Sequence, residues 1–335
     1  MLLEIARFWS SAAHWNPERE RYEIHHVVGP DEFHTNYPGA ESGGLNNNAY
    51  TNVMAVWVLG VARRALNLLA DERVCELQEQ LSLSDEELAR WEEIRRRMFV
   101  PFHDGGIISQ FEGYDQLEEL DWEAYRERYD DIQRLDRILE AEGDTPNRYR
   151  ASKQADVLML FWLFSTEELT RLFEHLDYRL DPDAIPRNID YYLRHTSHGS
   201  TLSRVIHAWV LSRADRDRSW RLFRMALDSD VSDVQGGTTQ EGVHLGAMAG
   251  TVDLIQRCHT GLEVRDGVLW LNPCLPEELA ELSLRVRYRG HWLQLYVTQK
   301  KLSVKFAYSW SGPARVGFAG EVYTFAPGDQ REFDL

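Results

Sequence analysis

Residues 25–52, HHVVGPDEFHTNYPGAESGGLNNNAYTN, crowd carboxylates, imidazoles and several amides into a stretch rich in turn formers. A short apolar run from Ile24 to Val28 ends at Gly29–Pro30, a turn signal, after which come Asp31, Glu32 and His34. Two readings fit. Asp31 or Glu32 caps a turn and Asn46–Asn48 lead into a helix starting near Ala49. Alternatively, one carboxylic acid serves as a general acid inside a net of sugar-binding groups that includes His34, Asn48, Tyr50 and Thr51. A second segment, Lys153–Gln154–Ala155–Asp156, stands at the head of an apolar run through Val157, Leu158, Leu160 and Phe161, which predicts that it opens a helix. A cation in a first turn opposes the helix dipole, so Lys153 is expected to serve something besides helix stability. A lysine beside a glutamine can hold two sugar hydroxyls. The third segment, Thr196–Ser203, precedes a helix carrying Val205, Ile206 and Trp209. Here Gly199 permits a tight turn, and Ser200, Thr201 and Ser203 place hydroxyls beside free N–H groups, with His198 alongside. That is an ordinary Ser/Thr N-cap or an oxyanion cradle. In a fourth stretch, Gly236–His244, Glu241 stands beside Gln240, and chemistry alone does not assign it.

The elements that must position these groups change character once along the chain. From residue 1 to about 262 the apolar period is helical, with segments near 2–15, 47–70, 85–98, 121–140, 153–165, 166–177, 183–194, 200–213, 217–228 and 242–260. Leu59, Ala62, Leu66 and Leu69 form a stripe behind Val53, Val56 and Trp57, and Pro182 sits where it can open a helix. Trp162, Trp209 and Trp220 are expected in the core. After Gly261 the period becomes two: Leu282, Leu284, Val286 and Tyr288, then Leu293, Leu295 and Val297, then Leu302, Val304, Phe306 and Tyr308. Gly290, Gly312, Gly320 and Pro327–Gly328 punctuate these runs as turns. The expected architecture is a mainly helical domain over 1–262 followed by a small antiparallel β-sandwich-like domain over 263–335.

Charge and composition exclude several function classes. The 335 residues carry a net charge of −17, and 265–335 holds 9 basic against 8 acidic residues, so the negative excess lies before it. Such a surface repels nucleic acid. No stretch reaches the ~20 apolar residues of a spanning helix, and the amphipathic first segment does not read as a signal peptide. Cys75, Cys258 and Cys274 are odd in number and far apart, which suits neither a disulfide framework nor a metal site and points to the cytoplasm. Eleven Trp and 14 Tyr suit stacking on pyranose faces.

Together, GPDEFH, NNAYTNVMA, KQADVL, HGSTLS and TQEGVHLGAMAGT, in this order and followed by a β-rich tail, resemble the inverting disaccharide phosphorylases of glycoside hydrolase family 65. The resemblance implies an (α/α)6-barrel catalytic domain with a C-terminal β domain. It implies Glu32 as proton donor, Lys153 and Gln154 as sugar-binding residues, and His198, Gly199, Ser200 and Thr201 as the phosphate site; His34, Asn48 and Glu241 complete the expected substrate contacts. Phosphate is then a co-substrate, no metal or cofactor is needed, and an α-linked glucose disaccharide of the trehalose, kojibiose, maltose or nigerose type yields β-glucose 1-phosphate. A phosphorylase needs only an acid and a polarised anion cradle, whereas an inverting hydrolase needs a second carboxylate for water. A trehalase-like hydrolase is the alternative, with Glu241 the nearest carboxylate in sequence; a non-catalytic carbohydrate-binding fragment is another. Crowding around Glu32 is expected to desolvate it and raise its pKa. Thr35–Asn46 is longer than its counterpart in better-known members and is expected to shape the acceptor side. The family places a β-sandwich and the first barrel helices before the point where this sequence begins, so a partial barrel is expected. An unpaired face is then expected on Leu2–Ala13, at Ile5, Phe8 and Trp9, along with a homodimer in the complete enzyme.

Overall fold

A computed structural model describes residues 1–335 apart from 182, 213, 234–239 and 241, and the chain divides into two units, Met1–Ser203 and Arg204–Leu335. The first unit runs α1 (Leu2–Ala12), the hairpin β1–β2 (Ala13–Asn16, Arg21–Ile24), α2 (Ala49–Asn67), α3 (Asp71–Leu81) and α4 (Asp85–Arg97). A two-residue hairpin β3–β4 (Phe102–His103, Ile107–Ile108) follows, then α5 (Trp122–Arg128), α6 (Leu135–Ala141), α7 (Leu158–Leu163), α8 (Thr166–His175) and α9 (Ala184–Arg194). Residues Thr201–Leu211 form α10.

Helix ends follow local chemistry. Asn48 caps α2 by accepting the Thr51 N–H, and Ser84 caps α4 by accepting the Glu87 N–H, each satisfying a donor the first turn leaves unpaired. In α4, Asp85, Glu86 and Glu87 occupy the first turn and Arg95, Arg96 and Arg97 the last, an order the helix dipole favours. The buried stripe of α2 includes Val53, Val56, Leu59, Ala62 and Leu66; Leu69 lies beyond the helix and is exposed. Four expectations change. The segment near 121–140 is two helices, α5 and α6, with irregular chain between them. Lys153–Asp156 does not open a helix, because α7 starts only at Leu158. Helix α3 was not anticipated: its apolar stripe is only Val74, Leu77 and Leu81, and none of its residues is buried. Trp162, Trp209 and Trp220 are half-buried, and it is Trp91 on α4 that is wholly buried. On α1, Ile5 and Phe8 are exposed and Trp9 is half-buried. Pro182 lies outside the described residues. Among the described residues no helix is long and apolar enough to cross a membrane.

The second unit contains α11 (Arg216–Asp228), α12 (Leu245–Asp253) running into a π-helical turn at Leu254–Cys258, and two four-stranded sheets. One sheet has the order β12-β9-β8-β7, built from β7 (Glu281–Tyr288), β8 (His291–Thr298), β9 (Lys301–Phe306) and β12 (Gln330–Asp334). The other has the order β11-β10-β6-β5, from β5 (Glu263–Arg265), β6 (Val268–Leu271), β10 (Ala314–Phe318) and β11 (Glu321–Phe325). Register follows the period of two: Leu284 faces Leu295, which faces Val304, and Leu293 pairs with both Val286 and Phe306. These side chains and those of Leu269, Leu271, Val316 and Phe325 make one apolar core. The sheets are not wholly antiparallel. Strand β10 runs parallel to β6, with Val316 opposite Leu269, because the chain builds β7–β9 in the other sheet before returning. Tyr308 lies past the end of β9 and is exposed.

Candidate active site

The turn that carries Glu32 stands on a buried polar floor. Beyond β2 the chain folds back so that Val27 and Leu45 exchange main-chain hydrogen bonds, and the segment 29–44 loops out between them. Asp31 points inward. Its Oδ1 accepts the Lys153 N–H (2.8 Å) and, more loosely, the Gln154 N–H (3.4 Å). Its Oδ2 accepts the Gln110 amide (3.0 Å) and faces His34 Nδ1 (3.2 Å), while His34 Nε2 donates to the Tyr149 carbonyl (2.9 Å). A second buried carboxyl, Asp156, accepts the Asp31 N–H (3.3 Å) and the Asn48 amide (3.1 and 3.2 Å). Burial, and after it the charge of Asp31, pushes the Asp156 carboxyl up to about 8. A Cβ at Gly29 would lie 2.3 Å from both Asn48 Nδ2 and Asp156 Oδ2, so only glycine lets the turn approach this pair.

Glu32 points the other way, with its side chain 62% exposed and its Oε2 2.5 Å from Lys153 Nζ. The expected desolvation of Glu32 is therefore absent: the carboxylate is exposed beside an ammonium, and the desolvated carboxyls of the region are Asp31 and Asp156. Gln154 donates its amide to the Pro30 carbonyl (2.6 Å).

Lys153 also reaches the third segment. Residues 195–199 run beside 152–153: Ser152 N–H donates to the His195 carbonyl (2.7 Å), Ser197 N–H to the Ser152 carbonyl (2.9 Å), and Gly199 N–H to the Lys153 carbonyl (2.9 Å). The contact is close enough that a Cβ at Gly199 would sit 2.4 Å from the Gln133 carbonyl and 3.0 Å from Lys153 Cγ. His198 holds a left-handed backbone (φ 61°), an arrangement that clusters at functional sites, and its Nδ1 meets Ser203 Oγ at 2.9 Å. Thr201 opens α10 with Ser200 just before it.

The structure thus brings together Glu32, Lys153, Gln154, His198 and Gly199. His34 and Asn48, expected to touch sugar, are buried and direct their polar atoms at protein: Asn48 Oδ1 accepts from Thr51 N–H and Oγ1, and its Nδ2 serves Asp156 and the Gln110 carbonyl. They belong to the floor. Glu241 lies outside the described residues. In Thr35–Asn46, Tyr37 Oη donates to the Glu112 carbonyl and accepts the Asn46 N–H, and Asn147 Oδ1 accepts the Thr35 N–H, so this segment packs on the chain near 112 and 147. Gln110 was not foreseen. It is a lone amide in the apolar stretch IISQF, and only the fold shows it bridging Asp31 to Ser152. Among the described residues no cluster of His, Cys, Asp and Glu could hold a metal ion.

This geometry coincides with a family match. A profile of the Glycosyl hydrolase family 65 central catalytic domain matches residues 1–253, and one of the family's C-terminal domain matches residues 262–325. The chain belongs to glycosyl hydrolase family 65. Among its family 65 relatives, an uncharacterized glycosyl hydrolase of Mycobacterium tuberculosis (strain H37Rv) is 54% identical over 322 residues, 96% of this chain and 24% of that protein. The trehalose 6-phosphate phosphorylase of Lactococcus lactis is 37% identical over 305 residues, covering 90% of this chain and 38% of the enzyme. A solved structure from the human microbiome, assigned by name as a kojibiose phosphorylase, shares the fold with a TM-score of 0.79 at 21% identity, over 100% of this chain and 45% of that one. The chain spans less than half the length of each of these relatives.

Proposed function

We propose that this chain carries the general acid and the phosphate-holding segment of an inverting glucoside phosphorylase. Its substrate would be an α-linked glucose disaccharide of the trehalose, kojibiose, maltose or nigerose type, split into β-glucose 1-phosphate and a sugar. One observation carries the reading. Lys153 meets Glu32 with its ammonium and Gly199 with its carbonyl, so the acid turn and the hydroxyl-rich segment share a single residue. In the proposal Glu32 protonates the glycosidic oxygen. Phosphate, held by His198, Gly199, Ser200 and Thr201, attacks the anomeric carbon from the opposite face. Because phosphate is already an anion, it needs polarised donors and a nearby cation, and no carboxylate base. Lys153 and Gln154 exchange their present partners, Glu32 and the Pro30 carbonyl, for sugar hydroxyls. Inorganic phosphate is the sole co-substrate and no cofactor takes part.

The helices are read as part of an (α/α)6 barrel, which the shared fold of the microbiome structure supports. A cytoplasmic setting fits three free cysteines. A homodimer, and a further portion of the enzyme preceding these helices, belong to the same reading. Hydrolysis of the same bond is a second reading, favoured by the name of the M. tuberculosis relative, and would draw on Glu241 as base. The test assays trehalose, kojibiose, maltose and nigerose with and without phosphate, in the protein that carries these 335 residues. Phosphate-dependent release of β-glucose 1-phosphate is expected, and Glu32→Gln should lower kcat by roughly 10²–10⁴, the range for losing acid catalysis. Sugar release without phosphate would replace the reading with hydrolysis. Near-normal turnover by Glu32→Gln would remove Glu32 from the role.

A further inference from the structure

Asp156 plays no chemical part in that scheme, yet it lies under both segments that do. It accepts the main-chain N–H of Asp31, the residue immediately before Glu32, and it holds the amide of Asn48, the cap of α2. Asp31 in turn accepts the main-chain N–H of Lys153. The backbone on either side of the Glu32–Lys153 contact is therefore anchored to the start of α2 through two buried carboxyl groups in series, Asp31 holding Lys153 and Asp156 holding Asp31 and the α2 cap. We propose that Asp156 is a positioning residue for Glu32 and Lys153, locking the turn that bears the acid onto the head of α2. The proposal rests on the roles given above to Glu32 and Lys153.

Asp156 does this in its protonated form. The groups around it are Asp31 from the turn, Asn48 and Tyr50 from α2, and Tyr192 from α9. No Lys, Arg or His among the described residues pairs with it. Two buried carboxyls side by side do not both ionise readily, and the donors divide unevenly between them. Two main-chain N–H groups, the Gln110 amide and the His34 ring converge on Asp31, whereas Asp156 has one N–H and one amide. The proton therefore stays on Asp156, in keeping with its rise to about 8.

The sign of the linkage follows. Between the ordinary carboxylate range and about 8, the native state holds a proton that the unfolded state has lost, so stability falls as pH rises through that window and levels off above it. Thermal unfolding of the full chain, followed by circular dichroism from pH 5.5 to 9.5, reads this directly in wild type, Asp156→Asn and Asp156→Leu. Asparagine offers the same neutral donor and acceptor as the protonated acid. Asp156→Asn should therefore lack the wild-type decline toward pH 8, a decline of about 2–4 °C per pH unit for one titrating group, so that its Tm gains steadily on the wild type as pH rises from 5.5. Asp156→Leu should melt lower at every pH. In phosphorolysis Asp156→Leu should lose about 10²-fold in kcat with a smaller change in KM, because a displaced acid fails in the transition state while the sugar still binds. Asp156→Asn should restore at least about tenfold of that loss. An Asp156→Asn variant whose Tm tracks the wild-type pH curve would overturn the buried proton, and wild-type kcat in Asp156→Leu would overturn the positioning role. If Asp156→Leu does not fold, Asp156→Ala takes its place in the kcat test of positioning, and the pH curve of Asp156→Asn still decides the buried proton. A harmless Glu32→Gln, beside an Asp156→Asn variant that lacks the wild-type pH decline, would sink the reading of Glu32 itself, so the two failures are told apart.

Discussion

The core between the two sheets and the floor beneath Glu32 are both closed to water, but they are held by different forces. Between the sheets the buried side chains are almost all apolar: Leu293, Leu295, Val304, Phe306, Val316 and Phe325 pack together, and the ring of Phe306 stacks on Phe325 with centroids 4.9 Å apart. His291 is the buried polar residue there, and it hands both ring nitrogens to the 309–312 turn. Under Glu32 the buried groups are Asp31, His34, Asn48, Gln110 and Asp156, each directed at another. Dispersion and hydrophobic burial are non-directional, so the sheet core tolerates exchange among side chains of similar volume. The floor is directional. Removing one member leaves another buried and unpaired, and the position of the Glu32 turn and the Lys153 segment goes with it.

Four substitutions, two of them combined, sharpen or break this contrast. The largest effect is expected at Phe306→Ala, which removes a wholly buried ring and should cost the sheet domain about 3–5 kcal/mol in chemical denaturation. The same variant should leave the Asp156-dependent pH curve unchanged; a changed curve would mean the two regions are not energetically separate. Asn48→Ala comes next. It removes the α2 cap and leaves the Asp156 carboxyl short of its amide donor, together about 2–3 kcal/mol. Adding Asp156→Ala to it should cost less than the sum of the two single changes, by about 0.5–3 kcal/mol, since the second removes the group the first had orphaned. Strict additivity would mean that the floor is no network. The smallest effect belongs to Ser84→Ala, a cap on the α4 surface with no tie to either region, at about 1 kcal/mol and no change in the pH curve.

Most of what could be read in advance was periodic or contiguous. Alternation placed β7, β8 and β9, and their register followed because a one-residue slip would turn Leu284, Leu295 and Val304 outward. A stripe of period near 3.6 revealed α2, and Asn48 marked where it begins. Helix α3 escaped because it buries none of its residues, and the 153–156 stretch looked helical because its apolar run starts early, although Asp31 holds its backbone in a loop. The residue types of the site, Glu32, Lys153, Gln154 and the 198–201 segment, stood out as short contiguous clusters.

What the sequence determined by itself was therefore everything encoded by neighbours along the chain: helix and strand periods, caps, turns, the acidic balance and the contiguous motifs of family 65. Only the tertiary structure decided which of those groups meet. It set Glu32 against Lys153 across 121 positions, Asn48 against Asp156 across 108, and Gln110 against Asp31 across 79. Hydrogen bonds in a closed interior are chosen by distance and angle in space, and residues so far apart along the chain carry no local trace of the partner they will find.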